Sequence, residues 1–152
     1  MSEVTIFIHR NTSNAVLPEV AYGSTSACFD LTCTETITIP AGGSSVVENG
    51  LNVCIDQQEK YWMQIQLRSS KGFKHSLIPH YGTVDAGYTG PLGVKIYNVG
   101  KEDVIIQEGE RYAQIAVIPK PAYNIVELSD VQFVEFEKMQ YRGSGGFGSS
   151  GK

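Results

Sequence analysis

Along most of this chain apolar and polar positions alternate with the side-chain period of a β-strand rather than that of a helix. Val4–Ile8 alternates, Glu35–Ile39 is rich in β-formers, and Tyr61–Leu67 (YWMQIQL) places Trp62 in a half-buried strand. Val94–Asn98, Val104–Ile106, Tyr112–Ile118 and Tyr123–Leu128 continue the series, and Val131–Phe136 makes one more short strand. Val46-Val47 and Leu51–Ile55 flank an Asn49-Gly50 step, which predicts a hairpin turn. Such segments recur roughly every ten residues with Gly, Pro or Asn between them, the spacing of a sandwich or closed β architecture. Ser70–His75 is the exception: a short polar segment after a strand, it predicts a turn or two of helix. Pro119 and Pro121 stop the last long strand. The fold class expected from this pattern is all-β.

With 152 residues, 41% of them hydrophobic, the chain is long enough to bury one substantial core. No apolar run approaches the length that spans a bilayer. The start, MSEVTIFIHRN, lacks the basic, apolar, small-residue order of a signal peptide. The expectation is a soluble, cytoplasmic protein with no membrane partner, in a host cell's cytoplasm if the source is viral. Cys28, Cys33 and Cys54 are odd in number and form no C-x-x-C, which argues against a disulfide framework or zinc site and for small buried hydrophobes. The net charge of −4 removes the global basic field that nucleic-acid binding needs. Cations are instead concentrated locally: Arg68, Lys71 and Lys74 mid-chain, then Arg111 and Arg142. For the lysines the plain alternative is a solvated basic loop.

The chain ends in RGSGGFGSSGK, from Arg142 to Lys152, one cation and one aromatic in a bed of glycine and serine. Glycine lets backbone N–H groups turn toward an anion, Arg142 can grip phosphate with a planar fork, and Phe147 offers a face for a base to stack on. The organisation read from this is a β domain over 1–141, connector included, and a mobile glycine-rich flap over 142–152. A flexible linker has the same composition and stands as the alternative.

Four more segments carry candidate chemistry. They are Ser24–Leu31, leading to Asp30; Arg68-Ser69-Ser70 at the end of a strand; Gly82–Gly90 (GTVDAGYTG), with Asp85 and Tyr88 in a glycine-bounded turn; and Gly109–Gln114 (GERYAQ). Taken in order with the tail, the five segments resemble the motifs of the deoxyuridine triphosphatase (dUTPase) family, spread over nearly the whole chain. The third motif of that family looks like G-x-[VI]-D-x-x-Y-x-G, matched from Gly82 to Gly90. The fifth looks like R-G-x-G-G-F-G-[ST]-[ST]-G, matched from Arg142 to Gly151. The second is matched by Arg68-Ser69-Ser70 with Lys74-His75, and the fourth by Gly109 through Gln114. Departures lie at Cys28 and Phe29 before Asp30, at Gly87, and at Thr89.

The resemblance implies a distorted jelly-roll of the β-clip kind, assembled as a homotrimer whose tails cover neighbouring sites. It implies hydrolysis of dUTP to dUMP and pyrophosphate, which limits uracil in DNA and supplies dUMP for dTMP synthesis. Asp85 is then the general base that activates water; the alternative is an Asx-turn residue organising its own hairpin. Tyr88 lies under the deoxyribose and excludes a 2′-hydroxyl, or else is an ordinary packed aromatic. Uracil is read by backbone groups of the hairpin, around Gly82 and Val84. Arg68, Ser69, Ser70, Gln114 and Arg142 hold the triphosphate, Gln114 against phosphate or the attacking water. Gly148, Ser149 and Ser150 close the flap while Phe147 stacks on uracil. Lys95, on the strand leaving the hairpin, is counted with the substrate-binding residues. Asp30 and Arg111 support the site, and Mg2+ is held through substrate phosphates and waters rather than by protein ligands. His9 and His80 read as surface or turn residues.

Two other readings compete. Deoxycytidine triphosphate deaminases share the Asp85-x-Gly87-Tyr88-x-Gly90 stretch, but Lys95 stands where they carry a catalytic glutamate, and a lysine does not shuttle protons as that acid does. A dUTPase fold with a regulatory, protein-binding task is the other.

Overall fold

Along Pro91–Asn98, Leu92, Val94, Ile96 and Asn98 are buried while Pro91, Gly93, Lys95 and Tyr97 are exposed, so successive side chains face opposite sides of a sheet. The computed structural model describes residues 3–19, 25–80 and 82–140. Its elements in chain order are β1 (Ile6–Arg10), β2 (Cys28–Thr32), β3 (Ile37–Ile39), β4 (Ser44–Ile55), β5 (Tyr61–Leu67) and α1 (Ser69–His75). There follow β6 (Leu77–Pro79), β7 (Gly82–Val84), β8 (Pro91–Asn98), β9 (Val104–Ile106), β10 (Arg111–Pro119) and α2 (Asp130–Lys138). One sheet has the order β1-β4-β8-β6 and a second β2-β10-β5-β7, with β3 and β9 as a two-stranded ribbon. All pairings are antiparallel. The inner faces of both larger sheets feed one core: Val47, Val53, Ile55 and Ile96 from the first, Leu31, Met63, Ile65 and Ile115 from the second. The fold is all-β, as the alternation predicts, and α1 falls where a short helix was expected.

Asn49-Gly50 is not a hairpin turn. β4 runs unbroken through it, and its pairing with β8 shifts register between Glu48 and Asn52. Gly50 takes φ +68°, the left-handed conformation that a bulge needs as much as a turn does. The buried Asn49 amide donates to the Leu92 carbonyl at 2.9 Å and its Oδ1 accepts from the Leu51 N–H at 3.1 Å. Two residues on, Asn52 donates to the Thr89 carbonyl at 2.7 Å. The bulge therefore grips the Gly82–Gly90 loop and the start of β8 from behind. A Cβ at Gly50 would also press on Ala15 Cβ at 2.9 Å. Gly50→Ala is expected to cost about 2 kcal/mol in backbone strain, lowering the melting temperature by roughly 4–8 °C; calorimetry checks this, and an unchanged melt would contradict the strain.

The chain separates into two compact units, Met1–Pro121 and Ala122–Lys152. In the second, Tyr123–Leu128 forms no strand, and the predicted strand Val131–Phe136 is part of α2. The reason is Ser129. Its hydroxyl accepts from the Gln132 N–H while the Gln132 side chain accepts from the Ser129 N–H, a reciprocal capping box that starts a helix. A helix satisfies its backbone internally, whereas a strand needs a partner. Among the described residues no helix is long and apolar enough to cross a membrane.

Cys33 is buried and its thiol donates to the Glu35 carbonyl at 2.7 Å. Burial pushes that thiol up from its ordinary range. Cys28 and Cys54 are only half-buried, and all three cysteines are free.

Candidate active site

Cross-strand register builds the first half of the site. Gln114 on β10 pairs with Asp30 on β2 and with Gln66 on β5, so the three side chains share one face of the second sheet. With Arg68, Ser69, Ser70, Ser26, Ala27 and Cys28 they line a polar pocket of about 370 Å³. All four predicted phosphate contacts among the described residues, Arg68, Ser69, Ser70 and Gln114, thus meet in one place. Ser26 and Cys28 belong to the Ser24–Leu31 segment, but Gln66 was not singled out in the sequence. The alternation of YWMQIQL gave the only signal, since Gln66 shares the face of Gln64 rather than that of buried Ile65.

Asp30 is 7% exposed and bridges two guanidinium groups, Arg68 Nε at 3.3 Å and Arg111 Nη1 at 3.3 Å. Its partners are arginines rather than local backbone donors; Asp30 and Arg68 line the pocket, and Arg111, absent from the lining, reaches it only through its ion pair with Asp30. Lys71, for which a solvated basic loop was the plain alternative, is instead buried at 4% exposure in α1 and paired with Glu110. Burial by itself would raise the Glu110 carboxyl. Hydrogen bonds from Lys71 and the Gln107 N–H, with the charges of Lys71 and His75, hold it below its usual value. Lys74 and His75 face a different, open depression of about 450 Å³ beside Lys101, Glu102 and Asp103.

The hairpin Gly82–Gly90 builds the second half. A pocket of about 240 Å³ is lined by Ile65, Gly82, Thr83, Val84, Asp85, Tyr88, Pro91, Leu92 and Gly93. The turn closes through the Tyr88 N–H on the Asp85 carbonyl at 2.9 Å, a backbone bond. The Asp85 carboxylate is exposed and takes no part in a hydrogen bond or ion pair among the described residues, which removes the Asx-turn reading. Tyr88 folds back so that its hydroxyl donates to the Pro91 carbonyl at 3.0 Å, and a Cβ on Gly90 would collide with its ring. It is 45% exposed and lines the pocket, so it is not a core aromatic.

The Val84 side chain is 8% exposed and belongs to the core, which leaves to the pocket the backbone that was expected to read uracil. One predicted residue needs correction. Lys95 is absent from both pocket walls; it stands on the outer face of β8 with its ammonium 5.3 Å from the centroid of the Tyr97 ring. Arg142, Phe147, Gly148, Ser149 and Ser150 lie outside the described residues.

The two pockets share no residue. Asp85 follows edge strand β7, two strands from β10 and one residue beyond the Val84–Met63 pair, whereas Gln114 stands opposite Gln66. Strand spacing and rise then separate Asp85 from Gln114 by on the order of 15 Å. Two groups that act on one reacting atom must both lie within hydrogen-bond reach of it, directly or through one water, so Asp85 and Gln114 of the same chain do not meet at one atom.

Comparison with known proteins agrees with this arrangement of motifs. The dUTPase family profile matches residues 14–151. The deoxyuridine 5'-triphosphate nucleotidohydrolase of Wolinella succinogenes is 40% identical over 142 residues, covering 91% of this chain and 89% of that protein. Staphylococcus bacteriophage 80alpha dUTPase, solved with dUPNHPP, superposes with a TM-score of 0.85 at 26% identity, over 97% of this chain and 99% of that one. A mutant dUTPase from phage phi11 of S. aureus, whose structure describes coordination of a structural Mg(II) ion, superposes with a TM-score of 0.72 at 24% identity, over 83% of this chain and 99% of that one. With its motifs in order, its fold matched and its length covered, the chain belongs to the dUTPase family.

Proposed function

We propose that this protein hydrolyses dUTP to dUMP and pyrophosphate. The observation that carries the mechanism is the Asp85 carboxylate, exposed at the lip of the hairpin pocket and free of any ion pair among the described residues. A water oxygen bonds to the α-phosphorus, Asp85 takes the proton, and the bond from that phosphorus to the oxygen bridging the α and β phosphates breaks. Pyrophosphate leaves with the electron pair. Backbone groups between Gly82 and Val84 read uracil, and Tyr88, held by Pro91, lies against the deoxyribose where a 2′-hydroxyl would go.

The triphosphate is held by Arg68, Ser69, Ser70 and Gln114, with Arg142, Ser149 and Ser150 closing from the tail and Phe147 stacking on the base. The separation of the two pockets within one chain supports sites shared between subunits, a homotrimer in the family's manner. Mg2+ enters as part of the substrate chelate. Among the described residues no group of three or more His, Cys, Asp or Glu is placed to hold a metal, and Asp30 is already occupied by two arginines. Its ligands would be phosphate oxygens and waters, and when bound it offsets phosphoryl charge. The position of Lys95, outside both pockets, supports hydrolysis over deamination.

The test is a nucleotide panel with pyrophosphate detection. Turnover of dUTP is expected to exceed that of UTP, dTTP and dCTP by at least about 10²-fold, the scale on which a hydroxyl or methyl can be excluded by a stiff pocket. Comparable turnover of UTP would overturn the role of Tyr88, and ammonia release from dCTP would overturn the reaction.

A further inference from the structure

The buried Lys71 has no place in the chemistry above, yet it lies three residues beyond Arg68 in the segment that carries Ser69 and Ser70. An ammonium at 4% exposure is costly unless it is paired, so its position is set by where Glu110 stands. Glu110 is fixed in turn. Its other oxygen accepts from the Gln107 N–H at 3.0 Å in the turn before β10, and its carbonyl accepts from the Cys33 N–H at 2.9 Å.

The start of β10 is joined to this segment twice more. The Arg68 N–H donates to the Tyr112 carbonyl at 3.0 Å, and Arg68 and Arg111 share Asp30 at 3.3 Å each. The links close a circuit from Lys71 to Glu110, along the chain to Arg111, across Asp30 to Arg68, and back through Ser69 and Ser70 to Lys71. Two sides of that circuit carry the pocket's ligands: the serines on one, and on the other the strand that ends at Gln114. Asp30 and Arg68 line the pocket, whereas Arg111, Lys71 and Glu110 are absent from its wall.

We infer that Lys71 is a positioning residue: its pairing with Glu110 sets the spacing between Ser69-Ser70 and Gln114, and so the affinity of the site for the triphosphate end of its ligand. The inference rests on the proposed function for the identity of the substrate, but not for its test. A hydrocarbon of similar length, as in Lys71→Met, fills the same space without holding Glu110 in place. The partly exposed Glu110 is then free to turn to water, and the segment loses one of its three ties to β10.

The experiment measures Lys71→Met and the charge-keeping Lys71→Arg in the full chain, well below their melting temperatures. Inorganic tripolyphosphate binding by calorimetry probes the phosphate end, and deoxyuridine binding probes the hairpin pocket. Lys71→Met is expected to weaken tripolyphosphate about tenfold and raise KM for dUTP by a similar factor, with kcat within threefold and deoxyuridine binding within twofold. Lys71→Arg is expected to recover most of the loss. A lower melting temperature with tripolyphosphate binding unchanged would make Lys71 a purely structural bolt and overturn the inference. If Lys71→Met does not fold, Glu110→Gln breaks the same ion pair from its partly exposed partner: weaker tripolyphosphate binding with deoxyuridine binding unchanged supports the inference, and no change in tripolyphosphate or equal loss of both probes overturns it. Failure of the parent to turn over dUTP would sink the proposed function while leaving the tripolyphosphate comparison intact.

Discussion

Asp85→Asn is expected to lower kcat for dUTP by about 10³-fold, within the range a positioned general base contributes. The substitution keeps size and shape and removes only the capacity to accept a proton. Asp85 is exposed and has no ion pair or side-chain hydrogen bond among the described residues, so the folded state loses no contact with it. Melting temperature and deoxyuridine binding should both stay near parental values. A lost factor of 10³ is about 4 kcal/mol of transition-state stabilisation, far more than any rearrangement of an exposed turn residue would produce. The measurement is single-turnover pyrophosphate release with binding followed separately. Turnover of the Asn variant at near-parental rate would remove Asp85 from the role of base.

Ending the chain after Tyr141 is the second large effect. It deletes Arg142, Phe147, Ser149 and Ser150 together. A charge-assisted phosphate contact contributes about 2 kcal/mol and a base stack about 2 kcal/mol more, so kcat/KM for dUTP should fall by about 10³-fold. The fold should not notice. Among the described residues every member of the buried core lies between Ala15 and Ile115, and the first compact unit ends at Pro121. The expected signature is a melting temperature within about 2 °C of the full chain, unchanged association by light scattering, and lost turnover. Full turnover in the shortened protein would reduce the tail to a linker.

Residues whose role depends on local backbone or on type were legible in the sequence. The hairpin glycines, Asp85 and Tyr88 were recognisable because the turn is built within nine adjacent positions, Gly82–Gly90, and closes on itself through the Asp85 carbonyl. Arg68, Ser69 and Ser70 were recognisable as a motif, and Gln114 by its place after Arg111. Where burial or pairing decides the role, the sequence misled. Lys71 reads as one more cation in a polar run, and only a carboxylate thirty-nine positions away, Glu110, makes it an interior residue. Asn49-Gly50 reads as a turn because turn and bulge ask for the same left-handed glycine. What separates them is whether β8 continues alongside, which is a fact about a distant strand. Val131–Phe136 has the composition of a strand but no partner, and the Ser129–Gln132 capping box, visible in the letters, outweighed it.

By itself the amino-acid order determined that this chain makes antiparallel β-structure and carries five motifs of one family, because strand period, turn residues and motif spacing are all short-range properties. Only the tertiary structure decided that residues of the four described motif segments fall into two separate pockets and that Asp30 and Lys71 are committed to ion pairs. The physical reason is that sheet order and register place side chains from distant strands together or apart, and no local pattern encodes that distance.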